Sequence, residues 1–188
     1  MRFIPLAALA LSATVISAPA HAGAPTWNVN KGNSHLGFGV AVNNQGVKGE
    51  FRRWDAQIAF DPKALGQSRV AATIEMGSAV TGEATRDQSL PTADWFNVAA
   101  FPRATFVATN FKDLGGGRYQ AMGDLTIRGV RRPVVLPFTL KINGKNAQMQ
   151  GSLTINRGMF GVGQGQWKGT EMVAANVQIN VSLNATRP

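Results

Sequence analysis

The sequence predicts an all-β protein, an antiparallel barrel or sandwich of eight strands, on three observations. Apolar residues recur at every second position through most of the chain, the mark of strands with one face buried. Clusters of Asn, Gly, Asp and Pro punctuate these runs at the spacing hairpins require. Helical periodicity is nearly absent, and alternation fails only between residues 78 and 102 and in a glycine-rich stretch near the C-terminus.

The elements follow in order. Gly23-Ala24-Pro25 reads as a loose N-terminus, and Ser34, Leu36, Phe38, Val40 and Val42 then share one face of a first strand. Asn43-Asn44-Gln45-Gly46 is a polar hairpin loop. In the second strand Val47, Gly49 and Phe51 lie on one parity, and Trp54, Ala56, Ile58 and Phe60 on the other. A slip of one residue would turn the pattern inside out, so a β-bulge is expected at Arg52-Arg53, and Asp61-Pro62 ends the strand. Val70, Ala72, Ile74 and Met76 define a third strand over 69–76. The stretch 78–102 breaks the pattern, and Thr92 is an N-cap residue type, so one or two short helices are expected there, crossing the outside or one mouth of the sheet. Strands return over 104–112, 119–128, 134–142, 148–156 and 172–183, separated by Gly115-Gly116-Gly117, Gly129, Asn143-Gly144 and the 158–169 stretch, which reads as a flexible loop. Closing eight long strands on themselves removes the edges an open sheet would expose. A barrel of eight strands either fills itself with side chains or holds one small ligand. The 21 glycines, well above the ordinary ~7 %, favour internal space, because an inward glycine contributes no bulk.

Composition excludes much chemistry. Residues 1–22 read as a secretory signal: Arg2 gives the positive start, 3–18 are almost wholly apolar, and Ala20-His21-Ala22 is a small-x-small cleavage site. Residues 23–188 then form one domain, long enough to fold without staples. The chain has no cysteine, which removes thiolate nucleophiles, thiolate metal sites and a lipoprotein anchor. Beyond the signal only His35 remains, so metal sites built on several histidines and HExxH are excluded, and no GxSxG elbow occurs. Gly161, Gly163 and Gly165 lack dinucleotide-binding spacing and strand–helix context. Without the signal the net charge is +8, dispersed except at Arg52-Arg53 and Arg131-Arg132 and not interleaved with aromatics. That argues against nucleic acid and suits a solvated face with transient contact to an anionic membrane surface. No catalytic residue, metal or cofactor is expected, and the inventory leans toward binding.

Several segments together carry a resemblance. They are Ser34-x-Leu36-x-Phe38, Val47-Lys-Gly-Glu-Phe51, Ile58-Ala-Phe-Asp-Pro62, Thr85-Arg86-Asp87 with Leu90, Asp94-Trp-Phe96 and Phe101-Pro102-x-x-x-Phe106. Gly123-Asp-Leu-Thr-Ile-Arg-Gly-Val130 with Arg132-Pro-Val134, and Asn156-Arg157-x-x-Phe160-Gly161, complete the set. In this order and spacing the chain resembles the YceI-like family of small exported proteins, often called polyisoprenoid-binding proteins, from Trp27 to Leu183. The resemblance implies an elongated, lipocalin-like, eight-stranded antiparallel barrel in the periplasm. Its apolar tunnel would hold a long-chain isoprenoid, a quinone tail or a fatty-acid derivative, without a cofactor. Two departures stand out: Gln88 where a histidine commonly follows the Arg-Asp pair, and Gly158-Met159 where an acidic residue often precedes the phenylalanine.

The expected tunnel lining is Phe38, Val40, Phe51, Ile58, Phe60, Ile74 and Phe106, with Trp95, Phe96 and Phe160 near a mouth. The same alternation serves packed core and hollow lining alike. Arg86, Asp87, Asp124 and Arg157 either fix the 78–102 excursion by hydrogen bonds or meet an anionic or carbonyl head group. The leading function is a lipid or quinone carrier. Behind it stand a stress-linked protein that sequesters a membrane-derived amphiphile without transferring it, and an enzyme relying on an Asp/Glu pair. Monomer and homodimer are both compatible with the sequence.

Overall fold

The computed structural model describes residues 23–188; the signal segment expected over 1–22 lies outside them. Eleven strand segments make one sheet: β1 (Thr26–Val29), β2 (His35–Val42), β3 (Gln45–Phe51), β4 (Trp54–Ala59), β5 (Arg69–Glu75), β6 (Ala79–Val80), β7 (Arg103–Gly115), β8 (Arg118–Ile127), β9 (Val130–Asn143), β10 (Asn146–Asn156) and β11 (Val173–Thr186). Two bent strands explain the excess over eight. β1 and β2 are one strand interrupted by a 3-10 turn at Lys31–Asn33, and both pair with β11. β3 and β4 are one strand bent at Arg52-Arg53. With the two-residue β6 set aside, the result is a closed eight-stranded antiparallel barrel, in which β11 pairs on one side with β10 and on the other with the first strand.

Both bends are built by serines. At the second, Arg52 N–H donates to the Ser78 carbonyl (3.2 Å) and Arg53 N–H to Ser78 Oγ (3.0 Å), while that hydroxyl donates to Glu75 O (2.7 Å). Ser78 is buried, so it replaces the ladder bonds the bulge loses. At the first, Ser34 Oγ donates to Asn30 O (2.7 Å) and accepts from Asn184 N–H (2.9 Å). The alternation that starts at Ser34 does not reveal β1, because the 3-10 interruption hides the continuity from any alternation rule.

The bends also leave a seam between the first two strands. Trp27 pairs with Ile58 toward one end of the barrel and Gly37 with Glu50 toward the other. Between these points 28–36 and 51–57 make no ladder across to each other, although each keeps its neighbour on the far side.

The excursion after β6 contains one helix, α1 (Ala84–Ser89), capped by Glu83, whose carboxylate accepts from Thr85 N–H and Arg86 N–H, both at 2.9 Å. Thr92 caps no helix, and 92–100 are successive turns. The carbonyls a helix would use are taken elsewhere: Arg128 Nη1 donates to Ala93 O and Trp95 O, and Gly163 N–H and Gln164 N–H donate to Asp94 O (2.8 and 2.7 Å). Asn97, at φ 48°, closes the turn.

Candidate functional site: an apolar tunnel

The barrel is hollow. A cavity of about 270 Å³ runs its length, from Trp27 and Ala185 at one end to Trp95, Phe160 and Val173 at the other. All ten apolar residues singled out in the sequence line it: Phe38, Val40, Phe51, Ile58, Phe60, Ile74, Trp95, Phe96, Phe106 and Phe160. Along with them stand the inward members of every long strand, among them Leu125, Leu136, Leu153, Ile179 and Val181. No large side chain among the described residues is fully buried, which a packed core of this size would not allow. Among the described residues Arg157 is the one charged residue on the wall. A water here would find almost no partner, so the space is dry and suited to hydrocarbon.

The space does not come from inward glycines, contrary to the sequence expectation. A Cβ on Gly49 would lie 2.3 Å from the Phe38 ring, and one on Gly123 would lie 2.3 Å from the Val107 carbonyl. Those positions are already filled by a neighbouring ring and a neighbouring strand, and glycine permits the close approach. The hollow arises from the diameter of eight strands around small inward residues such as Ala56 and Ala72.

Aromatic clusters occupy both ends. Near the chain termini Phe60 meets Phe111, Phe138 and Tyr119 edge-on at 5.3, 6.0 and 5.6 Å, and Trp27 Nε1 donates to Phe60 O (2.9 Å). Burial there pushes the Tyr119 hydroxyl pKa up. At the other end Phe51 bridges Phe38 and Phe96 (5.3 and 6.0 Å), and the excursion contributes Leu90, Trp95 and Phe96 as a cap.

The four polar candidates separate. Arg157 is 3 % exposed and stands over the Trp95 ring. Its five N–H groups donate to five carbonyls: Nε to Ala174, Nη1 to Val162 and Gly163, Nη2 to Gly169 and Val173, at 2.7 to 3.5 Å. The 158–169 stretch, expected to be flexible, is thus wound around one guanidinium, and no donor is left over for a ligand. Burial lowers the Arg157 pKa. Asp87 accepts from Thr81 N–H (2.6 Å) and Thr81 Oγ1 (2.7 Å), tying α1 back to the end of β6, and Arg86 Nε reaches Thr81 Oγ1 at 3.3 Å. Asp124 lies apart from all of these, outside the barrel, paired with Arg131 across the β8–β9 hairpin. The four do not form one site, and neither Arg86 nor Asp124 faces the cavity.

Sequence reasoning missed Arg128, which pins the cap, and Lys31, whose Nζ crosses the seam to Trp54 O (2.8 Å) and Asp55 Oδ1 (2.5 Å). Arg128 carries a faint signal: with Gly129 it forms a two-residue hairpin turn at φ 51°, a left-handed position that Asn or Gly would ordinarily fill. A lone Lys31 carries none. His35 is exposed on the outer face, 3.6 Å from Glu50.

The cap should loosen in acid. Hydrogen bonds from the Thr85 and Arg86 amides hold the Glu83 carboxyl below its usual range, and those from Thr81 do the same for Asp87. A carboxyl depressed in the folded state stabilises it at pH above its unfolded value, and that contribution is lost as pH falls through the folded value. Below about pH 4 amide exchange in 81–90 is expected to rise ahead of the strands, and hydrogen-exchange mass spectrometry at pH 3 and 6, corrected for intrinsic rates, checks this. Equal protection of the helix at both values would refute it.

Comparison with known proteins fits the fold. The YceI-like domain matches residues 27–185. The chain belongs to the YceI-like family. A relative from Pseudomonas syringae pv. tomato, named only as a UPF0312 protein, is 31 % identical over 166 residues, covering 84 % of this chain and 86 % of its own. The crystal structure of Burkholderia cenocepacia BcnA superposes with a TM-score of 0.82 at 34 % identity, covering 85 % of this chain and all of that one. A polyisoprenoid binding domain from Saccharophagus degradans, implicated in plant cell wall breakdown, shares the fold at 14 % identity and a TM-score of 0.67, covering 88 % of this chain and 99 % of its own. The expectation of a YceI-like barrel therefore holds.

Proposed function

We propose that this YceI-like protein is an exported, periplasmic carrier that binds a long-chain isoprenoid, a quinone or a related lipid with its tail in the barrel tunnel. The observation that carries the reading is the tunnel wall, which is aliphatic, aromatic and thioether throughout except for a guanidinium whose donors are all engaged. A lipid tail left in water costs about 0.8 kcal/mol for each CH₂ exposed, and an apolar tunnel of this form removes that cost. The polyisoprenoid binding described for the Saccharophagus domain supports the ligand class. The leader-like sequence of residues 1–22 supports export. Binding and release of such a ligand need no cofactor and no catalytic side chain, so the reading is of a binder and not of an enzyme.

The test is mass spectrometry of organic extracts of the protein purified without detergent from a periplasmic preparation. One long-tailed species at near-stoichiometric amount is the expected result. An empty protein that also takes up no added quinone or prenol would overturn the proposal.

A further inference from the structure

A ligand must enter the tunnel, and its polar head must rest somewhere. Neither end of the barrel offers an easy way in. One end is packed by Phe60, Phe111, Tyr119 and Phe138; the other is capped by an excursion that Arg128 and the Asp94 carbonyl hold in place. Opening either would break buried contacts.

The seam between the first two strands differs. No backbone ladder crosses it between the Trp27–Ile58 and Gly37–Glu50 pairs. Lys31 bridges it, and its bond to Asp55 joins side chains that are 52 % and 65 % exposed. Ion pairs that exposed are weak and readily exchanged. The inner edge of the seam is Trp54, which lines the tunnel and lies 5.8 Å under the Lys31 ammonium. Outside it lies a groove of about 520 Å³ whose polar side chains include Lys31, Asp55, Gln57 and Arg69. Trp27, Ala56 and Ile58 line both this groove and the tunnel, so the two spaces share a single wall.

We propose that the seam is a lateral doorway to the tunnel, and that the groove outside it seats the anionic head, a phosphate or carboxylate, of the amphiphile whose tail lies inside. The proposal rests on the carrier reading and adds the head-group class and its seat. Charge supports it. The groove holds two cations against one carboxylate, and Arg69 makes no ion pair among the described residues. An arriving anion takes Arg69 and replaces Asp55 on Lys31, which releases the strap as the tail passes. The tunnel offers such a head no alternative, since Arg157 is saturated by carbonyls.

Two measurements test this, using farnesyl phosphate and farnesol as probes with one tail and two heads. Calorimetric titration of the wild type is expected to show the phosphate bound about tenfold tighter, the gain typical of charge-assisted hydrogen bonds. The double variant Lys31→Met/Arg69→Gln should abolish that preference and leave farnesol affinity within about twofold. A preference that survives, or one the wild type lacks, overturns the head-group seat. For the doorway, the chain has no cysteine of its own, so Lys31→Cys/Asp55→Cys can be bridged by a short bis-thiosulfonate. Farnesol uptake should slow at least about tenfold when bridged and recover on reduction, while a single-headed label on the same cysteines leaves it fast. An unchanged rate overturns the doorway. Wild-type protein that takes up neither probe fails the carrier reading itself, and this proposal with it.

Discussion

Filling the tunnel at its waist is expected to abolish lipid uptake and to spare the fold. Ala56, Ala72 and Phe106 are neighbours on three adjacent strands, and all three line the cavity. In the double variant Ala56→Phe/Ala72→Phe two rings join Phe106 at one level and close the bore. Overpacking normally costs about 1–3 kcal/mol, because added methylenes collide with packed neighbours. Here they enter empty space and bury their own apolar surface, so the melting temperature should change by no more than a few degrees. Titration with a long-chain prenol or quinone is expected to show affinity lost by more than about tenfold, or roughly 1.4 kcal/mol. Full uptake by a folded variant would move the binding surface to the outside of the barrel.

Removal of Arg157 has the opposite signature. Arg157→Met takes five donors from five carbonyls in an environment that is 3 % exposed. Stripping one partner from a buried charged network costs about 3–5 kcal/mol, and for a chain of this length that lowers the melting temperature by roughly 10 °C or more. The drop should be equal in lipid-free and lipid-loaded protein. Arg157→Lys should recover little of it, because one ammonium cannot reproduce a planar fork reaching five acceptors. A variant that melts like wild type when empty, and loses only the stabilisation a ligand adds, would instead put Arg157 at the head group.

The fold was legible where local pattern and tertiary role coincide. The parity switch between Phe51 and Trp54 announced the bend at Arg52-Arg53, because the barrel interior tolerates no change of face. The lining residues were legible for the same reason. What stayed hidden depends on groups far apart in sequence. The Ser78 side chain that completes the bend lies 25 residues from Arg53, and its hydroxyl looks like any loop serine. The turns at 92–100 have a helix-like opening whose carbonyls Arg128 diverts from 33 and 35 residues away. Abundant glycine suggested empty space, yet at Gly49 and Gly123 the missing side chain is replaced by another part of the chain. Lys31 was invisible because a seam is a property of two strands and neither contains its signal.

The pairing of the first strand with β11 has a kinetic meaning. Asn184 and Ser34 are joined by a hydrogen bond across 150 residues of chain, and the hairpins between them form without it. Closing so large a loop is slow, and barrels rich in distant contacts fold late in the range of small domains. During folding the earlier hairpins can assemble as a curved, open sheet, but closure waits for the final strand. Until then two unpaired edges and an apolar concave face stand open to other chains. A truncation that removes the last strand therefore does more than shorten the protein: it should leave a permanently open seven-stranded sheet with the same exposed edges, and self-association in place of a lumen.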